Sequence, residues 1–132
     1  MEYKKHGDLK VTCIAEKDDL EFFGVTLEDL LDRTEQGYHF IKKVKELAGM
    51  NQKVTWTNVA YTLQISMLED ERLSLTYSEE ISDYIESLKH SMVMADQATI
   101  EPLKEFISAL ENADEESARK LVARFEKNVR QM

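Results

Sequence analysis

A chain of 132 residues with a single proline and 42% hydrophobic residues is long enough to close a core without a disulfide or metal staple. Its formal net charge of −9, acidic in both halves of the sequence, disfavours nucleic acid and anionic membrane, which need clustered Lys and Arg. Cys13 is the sole cysteine, which excludes an intrachain disulfide framework, and no segment approaches the roughly 18 apolar residues of a membrane span. No signal-peptide run follows Met1-Glu2-Tyr3-Lys4-Lys5-His6, so the expectation is a soluble, cytoplasmic protein.

In chain order, Leu9, Val11, Cys13 and Ala15 alternate with polar or smaller neighbours and predict a first strand. Glu16-Lys17-Asp18-Asp19-Leu20-Glu21 reads as a charged connection, and Gly24 suits a positive φ before the next element. Thr26 is the expected N-cap of a short helix, with Asp29 at the reciprocal position and Leu27, Leu30 and Leu31 as its apolar stripe. A second cap at Thr34 opens a longer amphipathic helix through Phe40, Ile41, Val44, Leu47 and Ala48. That helix is expected to end at Gly49 in the left-handed conformation, with Lys42, Lys43 and Lys45 toward its C-terminus.

Val59 to Met67 shows a period of two, and Leu73, Leu75 and Tyr77 repeat it after the polar break Leu68-Glu69-Asp70-Glu71, predicting an antiparallel hairpin. Thr62, Gln64, Ser66, Ser74 and Thr76 then share the outer face. A polar outer face implies helices on one side of the sheet only, and leaves a surface that is either merely solvated or a protein-binding site. From residue 80 the pattern is helical. Ile81, Tyr84, Ile85 and Leu88 form one stripe. After a softer stretch around Met94-Ala95, Ile100, Leu103, Phe106, Ile107 and Leu110 form a second, with Thr99 as cap and Pro102 in the first turn. Following the turn at Asn112-Ala113-Asp114, Ala118, Leu121, Val122, Phe125 and Val129 form a third, with Arg130 near its end.

The expected fold is therefore α+β. Residues 1–80 form a domain with a small three-stranded sheet in β-α-α-β-β order, helices on one face, and residues 81–132 form a C-terminal helical extension, a helical hairpin. Its stripes pack either on that domain or on a second subunit in a homodimer, and the sequence leaves both open.

Signs of chemistry are sparse. His6, His39 and His90 have no partners at metal-ligand spacing, so no metal is expected. Cys13 alternates with Val11 and reads as a small buried hydrophobe, with no neighbouring base to make it a nucleophile. Glycines 7, 24, 37 and 49 form no phosphate-binding loop, and no nucleotide cofactor is expected. The acidic clusters at Asp18-Asp19-Glu21 and Glu69-Asp70-Glu71 fall in predicted turns, where carboxylates stay solvated. Trp56 is assigned to the core.

Beyond periodicity, the element order resembles the N-terminal domain of MecA-type adaptor proteins, bacterial regulators of competence that hand substrates to a Clp ATPase. The residues that carry the likeness are Leu9-Lys10-Val11, Asp19-Leu20 through Gly24, Leu27-Glu28-Asp29-Leu30, Phe40, Tyr61-Thr62-Leu63-Gln64 and Arg72-Leu73-Ser74-Leu75-Thr76, over about residues 8–80. The resemblance implies recognition of target proteins by this part, with a separate C-terminal domain of strands and helices engaging the Clp chaperone. After residue 80 this chain departs from that pattern, having helical stripes alone.

The functional expectation is a non-catalytic protein-binding adaptor or regulator whose partner is a regulatory protein or a Clp-type ATPase. Thr62, Gln64, Ser66, Ser74 and Thr76 form its candidate surface, and no cofactor is implied. The alternatives are a small-molecule-binding or enzymatic domain with a pocket near Cys13, Tyr61 and Trp56, and a homo-oligomeric structural protein.

Overall fold

Alternating apolar residues dictate the centre of the sheet. Val11, Cys13 and Ala15 of β2 (Lys10–Ala15) and Leu73, Leu75 and Tyr77 of β4 (Leu73–Ser78) are all buried, while Lys10, Thr12, Ile14, Ser74 and Thr76 between them stay half-buried on the other side. The computed structural model describes residues 1–57, 60–93 and 96–130, the last three without their side chains. The chain divides into two compact units, one of Met1–Trp56 with Leu63–Tyr77, the other of Thr57–Thr62 with Ser78–Met132.

The sheet has four strands in the order β1-β2-β4-β3, one more than the sequence pattern predicts. The additional strand is β1 (Glu2–Gly7), which pairs antiparallel with β2. It has almost no apolar alternation because it is an edge: Tyr3 opposite Cys13 is its one large apolar side chain, while Glu2, Lys4, Lys5 and His6 are exposed. Strand β3 (Thr62–Met67), at the other edge, begins later than expected. Val59 lies outside the described residues, and Ala60 and Tyr61 precede the strand. In the β3–β4 turn the Leu68 N–H donates to the Arg72 carbonyl at 2.8 Å.

The supposed charged connection is a helix, α1 (Lys17–Phe23). Its N-terminus is fastened by the Glu16 N–H donating to the Asp19 carboxylate at 2.8 Å. Its C-terminus is a Schellman motif, with Gly24 at φ 69°, the Gly24 N–H on the Glu21 carbonyl and the Val25 N–H on the Leu20 carbonyl. Helix α2 (Leu27–Leu31) starts at Thr26 with the reciprocal box expected of it, Asp29 N–H to Thr26 Oγ1 at 3.1 Å and Thr26 N–H to Asp29 Oδ2 at 2.9 Å. The order in this unit is thus β-β-α-α-α-β-β.

Helix α3 (Glu35–Gln52), capped by the Thr34 hydroxyl, runs past Gly49, and the left-handed cap is Lys53 at φ 57°. Gly49 is inside the helix for another reason: a Cβ there would stand 2.5 Å from Trp56 Nε1. Trp56 packs against Val11, Ala48 and Val54, and its indole N–H donates to the Lys45 carbonyl at 2.9 Å. Lys45, one of the three lysines expected toward the C-terminus of this helix, is buried, with its ammonium 4.9 Å from the Trp56 ring centroid. Helix α3 lies on β1 and β2 through a face that includes buried Phe40, Ile41, Val44 and Ala48. The Tyr77 hydroxyl, itself buried, donates to the Ile41 carbonyl at 2.7 Å and ties β4 to α3.

The second unit holds α4 (Ile81–Met92), α5 (Gln97–Asn112) and α6 (Glu115–Arg130), packed on one another around Leu110, Ala118 and Val122. The cap of α5 is Asp96, whose carboxylate accepts the Thr99 N–H at 3.0 Å, so Thr99 sits within the first turn instead of capping it. Met94 and Ala95, and the side chains of Val129 and Arg130, lie outside the described residues.

Candidate protein-binding surface

Period-two alternation puts Thr62, Gln64 and Ser66 on one side of β3 and Leu63 and Ile65 on the other, with Gln64 and Ser66 exposed and Thr62 half-buried. On β4, Ser74 and Thr76 are half-buried opposite the buried Leu73, Leu75 and Tyr77. Thr76 is joined to neighbouring strands by a polar chain, its Oγ1 lying 2.9 Å from Thr12 Oγ1, which is 2.7 Å from His6 Nε2. His6 was missed as a member of this surface because β1 itself was missed, and Thr12 because the sequence does not reveal that β2 lies beside β4. The imidazole of His6 is committed to a threonine hydroxyl.

The two sheet edges differ chemically. On β1, Lys4, Lys5 and His6 are exposed and the register shifts between Lys5 and Gly7, both of which obstruct addition of another strand. Strand β3, with the sequence TLQISM, carries no charge at all, and Met67 at its end is 54% exposed. One edge is guarded and the other is not.

A groove opens elsewhere in the first unit, where the C-terminal end of α1 meets α3. It has a volume of about 640 Å³ and is lined by Phe23, Gly24, His39, Phe40, Lys42 and Lys43, with Gln36 and Glu46. Beside it, Phe22 is 84% exposed.

In the second unit a cavity of about 50 Å³, room for about one water molecule, is lined by Thr57, Ser78, Glu79, Tyr84 and Arg119 among others. Glu79 is buried there and accepts the Thr57 N–H at 2.6 Å, and the Arg119 guanidinium donates to its carbonyl at 3.2 Å while pairing with Glu115 at 3.0 Å. These bonds fasten the start of the helical unit, and a space of this size does not accommodate an organic substrate.

Trp56, one of the three residues expected near a ligand pocket, is instead held in core packing, and Cys13 is 0% exposed. Burial pushes the Cys13 thiol up to about 12, so at neutral pH it is a protonated core residue and not a nucleophile. Iodoacetamide at neutral pH is expected to leave Cys13 unlabelled in the native chain and to modify it stoichiometrically in denaturant, read by intact mass; rapid native labelling would contradict the burial. Among the described residues, no group of three or more His, Cys, Asp or Glu side chains is arranged to hold a metal ion, and no helix is long and apolar enough to cross a membrane.

Compared with protein-family models, the sequence matches the MecA model, described as negative regulator of genetic competence, over residues 1–131. The match continues past residue 80, where the likeness in motifs stopped, through α4, α5 and α6. No curated protein and no solved structure matches the chain. With all but its last residue matched, the chain belongs to the MecA family, the negative regulators of genetic competence.

Proposed function

We propose that this chain is a non-catalytic, cytoplasmic adaptor that binds a target protein through strand β3 and the polar face beside it, and delivers that target to a Clp-type ATPase. The observation that carries the reading is the uncharged, partly exposed edge of β3 in a sheet whose opposite edge is bulged and lysine-rich. An extended segment of a partner can hydrogen-bond to such an edge, and side chains such as Gln64 and Ser66 supply selectivity. Membership of a family of negative regulators accords with this, as does the composition of the face formed by Thr62, Gln64, Ser66, Ser74 and Thr76.

The test is capture from lysate of the source organism with the tagged chain as bait, a charge-matched acidic domain as control, and mass spectrometry of what is retained. A Clp ATPase or a defined regulatory protein is expected. The variant Thr62→Lys, Gln64→Lys, Ser66→Lys should lose about tenfold or more of the captured target while its thermal midpoint stays within a few degrees of the parent, because Gln64 and Ser66 are exposed and at half-buried Thr62 a lysine stem can lie along the sheet with its ammonium in water. Undiminished capture by that variant, or retention of nothing but the chain itself, would overturn the proposal.

A further inference from the structure

The groove between α1 and α3 has features that the β3 surface does not share. An aromatic series runs from its floor, Phe40 and Phe23, out to Phe22 beside it. Phe40 is 2% exposed, Phe23 stacks edge-on against it at 5.3 Å, and Phe22 stacks edge-on against Phe23 at 5.3 Å while remaining 84% exposed. An exposed phenylalanine at the end of a helix of seven residues is ordinarily free to fray. Here the Schellman bonds at Gly24 and Val25 hold the end of α1, so the ring is presented and not merely left over.

Lys42 and Lys43 line the wall of the groove, with Glu46 as the one carboxylate among the lining residues, in a chain whose net charge is −9. His39, Lys42 and Lys43 lie at helical spacing along one face of α3. His39 approaches Glu35 at 3.9 Å and Lys43 approaches Glu46 at 3.9 Å, both pairs well exposed. Such long, solvated pairs are weak and exchange readily for a better acceptor. Lys42 is exposed, and no ion pair involving it is found among the described residues. The groove thus combines an apolar floor with two lysines against one carboxylate, Glu46, a local excess of positive charge in an acidic chain.

We propose that this groove docks an acidic segment of a partner protein, one in which an aromatic or aliphatic side chain inserts against Phe22 and Phe23 while flanking Asp or Glu carboxylates meet Lys42 and Lys43. The apolar anchor supplies binding that salt does not screen, and the carboxylates supply selection against basic segments and a dependence on ionic strength. This site is distinct in residues and chemistry from the β3 edge and does not require it.

The experiment is selection of a randomised nonamer peptide library against the full chain, counter-selected against a Lys42→Glu, Lys43→Glu variant, followed by fluorescence anisotropy on enriched peptides. Enriched sequences are expected to place Asp or Glu beside an aromatic or large aliphatic residue. Their dissociation constants should rise about tenfold or more in Phe22→Ser and in the double-glutamate variant. Affinity should also weaken as salt is raised. Phe22→Ser removes an exposed ring, so an unchanged thermal midpoint will show that lost binding is not lost folding. The triple lysine variant of β3 should bind these peptides as the parent does, which separates failure of this proposal from failure of the adaptor reading. Basic or charge-indifferent peptides, no enrichment dependent on the lysines, or a self-association that Phe22→Ser abolishes in place of peptide binding, would overturn it.

Discussion

Phe40→Ala should destabilise the chain by about 3–5 kcal/mol, the cost of deleting a buried aromatic whose surroundings cannot collapse into the void. Phe40 projects from a helix whose neighbouring buried positions, Ile41, Val44 and Ala48, are fixed on the same core, and its edge-on partner Phe23 is held by the capped end of α1. Relaxation is therefore confined from two sides. A domain of this size has roughly 5–15 kcal/mol in total, so the variant should keep only part of its stability, read as a fall in the urea midpoint at unchanged slope. Phe40→Leu, which retains most of the volume, should recover more than half of the loss. A midpoint equal to the parent for Phe40→Ala would mean that the α3 register is wrong. Because Phe40 also floors the groove between α1 and α3, loss of binding in this variant would report unfolding, and Phe22 is the residue that tests recognition.

The elements legible in the sequence are those whose patterning and local chemistry agree. Thr26 and Asp29 announce α2 by a capping box that needs only its own four residues, and Leu73, Leu75 and Tyr77 announce β4 because both its neighbours in the sheet demand one apolar face. Strand β1 was illegible for the opposite reason: as an edge it is stabilised by pairing with β2, not by its own burial, and its charges look like a tail. Helix α1 was hidden by acidic residues that read as a turn, although Glu16 and Asp19 stand at capping-box spacing and Gly24 follows the last turn. Gly49 misled because a glycine near a helix end has two uses, and only the position of Trp56 reveals that close approach, not a left-handed φ, requires it. The polar residues of β3 and β4 were legible as a face. The groove was not, since it depends on α1, which carries Phe22 and Phe23 to the flank of α3. The family likeness was visible in motifs up to residue 80, and the family match extends it over helices that show no such motif.

Gly37→Ala is the second large effect expected, and its sign runs against helix propensity. An alanine inside α3 should by propensity stabilise the helix by up to about 1 kcal/mol, since Gly37 lies in its first turn without a positive φ. A Cβ at this position, however, would stand 2.2 Å from the Asp29 carbonyl oxygen and 2.7 Å from its carbon. These are backbone atoms, and they are not free to retreat. Asp29 is fixed by the reciprocal bonds with Thr26, and its carbonyl already accepts the Thr34 N–H at 3.1 Å. The Thr26 N–H and the Thr34 hydroxyl also hold the Asp29 carboxyl below the usual carboxylate range, a sign of how closely the junction is bonded. The start of α3 must therefore move away from α2, breaking the Gly37 N–H bond to Thr34 Oγ1 at 3.2 Å, and a net loss of about 2–4 kcal/mol is expected in urea unfolding. A gain in stability would show that the two helices do not meet at this distance. The displacement has a functional consequence, because His39, Lys42 and Lys43 ride on α3 from this junction. Even where Gly37→Ala remains folded, the wall that carries Lys42 and Lys43 shifts relative to Phe22, so an acidic peptide should bind this variant more weakly at a denaturant concentration far below its unfolding transition.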